Sequence, residues 1–140
     1  MPFTTKKVRV VLWIVQGALA ALFLFAGGFK LAMPLATLAK LSPLPAPFLK
    51  FIGLCEVTGA FGLVLPGIFR VRADLTPLAA AGLVIIMIGA TITTVLTQGV
   101  GPAAMPFVVG ILAASVARGR WQWASRKAGP AAYRSLAKAA

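Results

Sequence analysis

Polar and charged residues divide the chain into four long apolar runs, at about residues 10–29, 48–65, 75–96 and 103–117. A helix needs about 20 apolar residues to cross a hydrocarbon core, so each run is a candidate span, the fourth being the shortest. The first run follows Lys6, Lys7 and Arg9, continues past Ala18-Leu19-Ala20 to Phe25 and stops at Lys30. A signal peptide has an apolar region of ~7–15 residues leading to a small-residue cleavage site, so this run reads as a retained helix. Pro34, Pro43, Pro45 and Pro47 then predict an irregular connection lying along the membrane surface, with an amphipathic turn or two at Leu35–Leu41. Pro66-Gly67 reads as the end of the second span, and Pro77 fits the first turn of the third. Gln98-Gly99-Val100-Gly101-Pro102 predicts a tight turn, and Pro106 a kink or tilt near the start of the fourth span.

Composition strengthens the membrane reading. Hydrophobic residues make up 60% of the 140 residues and charged residues 11%, where a soluble domain averages roughly 25% charged. Mean hydropathy is +0.95. The net charge of +12 would suggest nucleic acid in a soluble protein, but here the cations lie between and beyond the spans, and no basic groove or helix face is present. With the N-terminus inside, eleven Lys and Arg fall on cytoplasmic segments and three, Lys30, Lys40 and Lys50, outside. That bias predicts an N-in, C-in protein of the cytoplasmic (inner) membrane, with the lipid bilayer as its partner and no nucleic acid.

The expected fold is all-α, an antiparallel bundle of four transmembrane helices within residues 1–120, followed by a basic, aromatic cytoplasmic tail over 121–140. Six cations from Arg118 onward, with Trp121, Trp123 and Tyr133, predict an interfacial anchor against anionic lipid. Small residues four apart, at Gly17/Ala21, Cys55/Gly59, Gly89/Thr93 and Gly110/Ala114, together with Gly27-Gly28, are the expected packing surfaces. They serve a compact bundle or a homo-oligomer equally well.

Little in the chain can carry chemistry. It has one cysteine and no histidine, so a metal site of its own is not expected, and Cys55 has no base beside it to make it a nucleophile. Glu56 stands near the middle of the second run, where a carboxylate facing lipid costs roughly 2.5–3.5 kcal/mol. It therefore faces the bundle interior, either as a functional group or as packing glue. Lys30, at the end of the first span, is its natural ionic partner, although counted from Phe48 Glu56 lies about 12 Å deep at 1.5 Å per residue. Thr91, Thr94 and Gln98 share a face of the third helix, and Gln16 is a lone polar residue suited to interhelical bonding. The expected ligand-binding or ion-pair residues are Glu56, Lys30, Thr91 and Thr94, in a small polar pocket with apolar walls from Phe25, Phe51 and Met87.

Several blocks resemble the DoxX-like small membrane proteins: Phe23-x-x-x-Gly27-x-x-Lys30-Leu31, then Phe51-Ile52-Gly53-x-x-Glu56-x-x-Gly59-Ala60-x-Gly62-Leu63-x-Leu65-Pro66, then Leu75-Thr76-Pro77-Leu78 and Met87-Ile88-Gly89-Ala90. The similarity runs from roughly Val10 to Arg120. It implies a four-helix membrane bundle in which Lys30 and Glu56 occupy recurrent basic and acidic positions. It also implies a link to quinone-dependent redox assemblies, while Thr94 stands where many relatives carry a His, which puts any proton or redox role of that position in doubt here. The resulting expectation is an accessory or small-ligand-binding subunit linked to membrane redox, for a quinone- or lipid-like ligand, with a redox enzyme or further copies of itself as partner. No bound cofactor is expected beyond such a quinone, and no catalytic constellation is present. The alternative is a small oligomeric transporter or channel whose path passes Glu56.

Overall fold

A computed structural model describes residues 5–70, 72 and 74–139, and for residues 5, 123–134 and 136 the backbone alone. It contains five helices among these residues: α1 (Thr5–Ala32), α2 (Leu35–Leu41), α3 (Ala46–Ile68), α4 (Leu75–Gln98) and α5 (Val100–Ala139). Four of them are long and apolar enough to cross a membrane, and no described residue is in a strand. The spans pack in a closed ring, α1 on α3, α3 on α4, α4 on α5 and α5 back on α1. Neighbours run antiparallel: Gly27 meets Gly53 while Trp13 meets Gly67, and Gly59 meets Leu83 while Gly62 meets Ala79. The start of α1, the α3–α4 loop and the end of the fourth span thus share one side, here the terminal side. The short α2 and the α4–α5 turn lie on the other, the linker side.

The helix boundaries have local causes. Pro34 and Pro45 stand at the N-caps of α2 and α3, where a missing N–H costs nothing. Between α4 and α5 the chain turns on Gly99, whose φ of 94° is the left-handed conformation that glycine adopts most easily. Its N–H donates back to the carbonyls of Thr94 and Val95, satisfying the end of α4.

One expectation about a boundary changes. The helix α3 does not stop at Pro66-Gly67 but continues through them to Ile68. Pro66 sits in the last turn, where only one backbone bond is forfeited. Gly67 is needed for packing, because a Cβ there would lie 2.6 Å from the Trp13 ring. Past Arg118 the chain stays helical, since α5 carries on to Ala139. Its Ala, Arg, Lys and Gln content favours helix whether or not lipid surrounds it. The side chains of Trp123 and Tyr133, part of the expected interfacial anchor, lie outside the described residues.

The apolar core fills the terminal half. Leu19, Phe23, Ala60, Leu63, Ala80, Leu83, Ala113 and Val116 are each at most 5% exposed and form one cluster with Met87 and Val109. On the linker side a smaller cluster, Leu38, Ala46 and Leu49, seats α2 against the start of α3. Large apolar residues such as Phe25, Leu78 and Leu96 point outward, as lipid-facing positions should.

Candidate functional site

The site begins with two glycines. Gly27 of α1 and Gly53 of α3 touch: a Cβ on Gly27 would stand 2.6 Å from the Gly53 carbonyl oxygen, and one on Gly53 would stand 3.0 Å from that of Gly27. Close backbone approach of this kind is what small residues provide in membrane helices. Three residues beyond each glycine stands a charge, Lys30 on α1 and Glu56 on α3. In an antiparallel pair these two Cα atoms lie on opposite sides of the crossing. Every Cα–Cβ bond leans toward its own helix N-terminus, however, so the two side chains lean toward each other. The result is a forked ion pair in which Lys30 Nζ donates to both Glu56 oxygens at 2.7 Å.

The pair is unequal in exposure. Glu56 keeps 2% of its side-chain surface and Lys30 keeps 27%. The carboxylate is sealed behind the glycine crossing, whereas the ammonium edges into open space with one N–H still to give. Lys50 adds a second fastening by donating to the Leu31 carbonyl at 2.8 Å, a cation on the C-terminal end of α1.

That open space is a cavity of about 520 Å³ on the linker side, between α2, α3 and α4, floored by Lys30 and Glu56. Its walls are mainly apolar: Phe29, Leu38, Leu41, Phe48, Phe51, Ile52, Ile85 and Ile86. The polar lining comes from Ser42, Thr93, Thr94, Thr97 and Gln98, with Cys55 beside Glu56. The three threonine hydroxyls donate to carbonyls four residues back, at 2.7–2.9 Å, so toward the cavity they offer acceptor lone pairs. Lys30, the Gln98 amide and the Ser42 hydroxyl, which only accepts from Leu44 N–H, are left as the donors. An apolar pocket with a few convergent polar groups is the usual form of a small-molecule site.

The structure brings together Lys30, Glu56, Thr94 and Phe51 and separates them from the other expected members. Thr91 lies in a different groove, between α4 and α5, with Met87, Pro106 and Phe107. Met87 itself faces α5, where a Cβ on Gly110 would meet it at 3.2 Å. Phe25 is 75% exposed on the outside of α1 and lines neither space. Helical spacing groups Thr91 with Thr94, but α4 carries two polar stripes. The row through Gly89, Thr93 and Thr97 and its neighbour through Ala90 and Thr94 face the cavity, while Thr91 falls on the row that packs toward α5.

Of the expected small-residue contacts, Gly27, Gly59 and Gly110 meet neighbouring helices, whereas Gly17, Gly28 and Gly89 have open space around them. Gln16 links three helices: fully buried, it donates to the Leu63 carbonyl and accepts from Arg120 Nε at 3.0 Å. No group of three metal-ligating side chains occurs among the described residues.

The sequence pattern of the DoxX-like family matches residues 14–116, a stretch that contains both members of the ion pair and the whole cavity lining. No curated protein and no solved structure matches the chain. With four membrane-capable helices and a family match across most of its length, this chain belongs to the DoxX-like family.

Proposed function

We propose that this protein is a non-catalytic subunit of the cytoplasmic membrane that binds a small amphipathic ligand, of quinone or lipid type, in its linker-side cavity. The observation that carries this reading is the Lys30–Glu56 pair on the floor of an otherwise apolar space. A buried ion pair is an expensive way to hold two helices together, and apolar side chains of similar volume often do it as well or better. A pair that leaves one lysine N–H facing a pocket is suited to orienting a carbonyl or ester oxygen, with the aromatic and aliphatic walls taking the ring or chain. Gln98 at the rim supplies a second donor.

The reading places both termini in the cytoplasm, because eleven of the 14 basic residues then lie inside. The cavity consequently opens toward the outer leaflet. A binding role is preferred to a conducting one for a steric reason. On the terminal side of Glu56 the bundle is filled by Phe23, Leu63, Leu83 and Val116, each at most 2% exposed. A ligand therefore enters and leaves by the linker side.

Equilibrium binding of a short-tailed benzoquinone and of a short-chain phospholipid to the protein in nanodiscs tests the reading. Gly89 lines the cavity and a Cβ there meets nothing within 4 Å, so Gly89→Phe puts a ring into the space without a clash at its root. Saturable binding of one probe that is lost in Gly89→Phe, with the fold retained by circular dichroism, is the expected result. Binding that survives Gly89→Phe, or no saturable binding of either probe, would overturn it. Reporter fusions at Ser42 and after Ala140 check the orientation independently.

A further inference from the structure

We propose that the terminal side of the bundle holds a second site, a seat for the phosphate of an anionic phospholipid built from Arg120, Arg9, Lys6 and Trp13. Arg120 is the centre of it. Its Nε donates to Gln16 Oε1 at 3.0 Å, and its guanidinium carbon lies 5.0 Å from the centre of the Trp13 ring. Gln16 cannot swing away, because its own amide is committed to the Leu63 carbonyl. Trp13 is wedged against Gly67 of α3. The guanidinium is thus held in one plane by three helices, yet its Nη2 is enclosed and has no hydrogen-bond partner among the described residues. A fixed arginine fork with unspent donors is the arrangement that suits phosphate oxygens.

The charge around it points the same way. Arg9, two turns before Gln16 on α1, adds a second, exposed cation on the same side of the bundle. Cations gathered on one side of the bundle call for an anion. The chain supplies almost none, having two acidic residues in all. Glu56 is spent on Lys30 in the other half of the bundle, and Asp74 is exposed and forms no ion pair among the described residues. The anion therefore comes from outside the chain.

An open groove of about 610 Å³ along α1, which shares Trp13 with this cluster, selects the kind of anion. It is lined by Lys6, Arg9, Val10, Trp13 and Ile14. Its polar end carries two cations, and its floor, toward the middle of the span, is apolar. That polarity matches a molecule with an anionic head and an acyl chain, and it lies where a lipid headgroup meets the end of a span. A free phosphate would use the cations and leave the apolar floor uncovered.

Native mass spectrometry of the full chain, released from mild detergent with graded phosphatidylglycerol or phosphatidylcholine, tests the site. Phosphatidylglycerol is expected to remain bound where phosphatidylcholine is lost. Arg9 is exposed, so R9Q leaves the packing intact; it is expected to weaken phosphatidylglycerol about fivefold, the factor one interfacial arginine commands. R120K keeps the charge but loses the fork, and is expected to weaken it at least as much. K40Q removes the same charge from the linker side, where Lys40 is exposed, and is expected to change nothing. Equal losses in R9Q and K40Q would reduce the effect to bulk charge and overturn the proposal, as would wild-type retention in both R9Q and R120K. Displacement of the lipid by millimolar inorganic phosphate would overturn the choice of a lipid.

Discussion

Gly27 and Gly28 are adjacent in sequence and should respond in opposite ways to the same substitution. A Cβ on Gly27 would lie 2.6 Å from the Gly53 carbonyl oxygen, 2.8 Å from Val57 Cγ2 and 3.0 Å from Glu56 Cβ. Ordinary contact begins at 3.4 Å, so the nearest atom is about 0.8 Å too close, and it belongs to the backbone of α3. It cannot rotate out of the way. G27A must therefore push α1 from α3 by several tenths of an ångström, the overpacking that typically costs about 1–3 kcal/mol. Gly28 has nothing within 4 Å of its Cβ position, so G28A meets no obstacle. Both variants gain the same helix-propensity benefit of about 0.5–1 kcal/mol, which cancels when they are compared with each other.

The difference between the two melting curves thus isolates the helix–helix crossing. Reversible unfolding followed by circular dichroism, in mild detergent titrated with a denaturing one, is the assay. G28A is expected at or above the wild type and G27A below it, with the two separated by about 1–3 kcal/mol. The same shift should loosen the Lys30–Glu56 pair, because both charges are three residues from the crossing. Equal stability of G27A and G28A would refute the claim that the glycine contact sets the geometry of the site.

Two further perturbations probe the polar contacts. K30M strands a carboxylate that is 2% exposed, the situation that typically costs about 3–5 kcal/mol, whereas E56Q leaves a lysine that is 27% exposed and free to reach water or headgroups. Detergent unfolding should therefore rank K30M below E56Q, with the double variant recovering much of the loss; the reverse ranking would contradict the unequal burial. Gln16→Leu removes the acceptor of Arg120 Nε and the donor to the Leu63 carbonyl, and is expected to cost about 1–3 kcal/mol in the same assay. An unchanged midpoint for this variant would show that the three-helix link bears no load.

How far the sequence carries depends on the kind of physics involved. The spans are legible because hydrocarbon imposes a single rule, about 20 apolar residues per crossing, on every one of them. The limits of α2 at Leu35–Leu41 are legible for a similar reason, since the flanking prolines permit little else. The pairing of Lys30 with Glu56 follows from the place of Lys30 at the end of the first span, but depth alone makes the reach look long. The missing quantity was side-chain direction: measured between Cα atoms the charges are offset, and the N-terminal lean of both side chains in an antiparallel pair closes the gap. Thr91 shows the opposite failure. Its spacing from Thr94 is correct for a shared helical face, yet a helix in a ring of four serves two neighbours, and a short stretch of polar residues does not say which neighbour each row meets. The same holds for the glycines, where Gly27 is in contact and Gly28 in open space although composition treats them alike. What decides these cases is the rotation of each helix about its own axis. Lipid is as apolar as the bundle interior, so hydrophobicity alone fixes that angle weakly. In this protein it is held instead by a few polar and steric contacts: Lys30 on Glu56, Lys50 on the Leu31 carbonyl, Gln16 between Leu63 and Arg120, and Gly27 against Gly53. Each joins residues at least 19 positions apart, beyond the range of any helical periodicity. The same few contacts frame the linker-side cavity and the cationic cluster opposite, so substitutions that rotate a helix should disturb both places before they unfold the bundle.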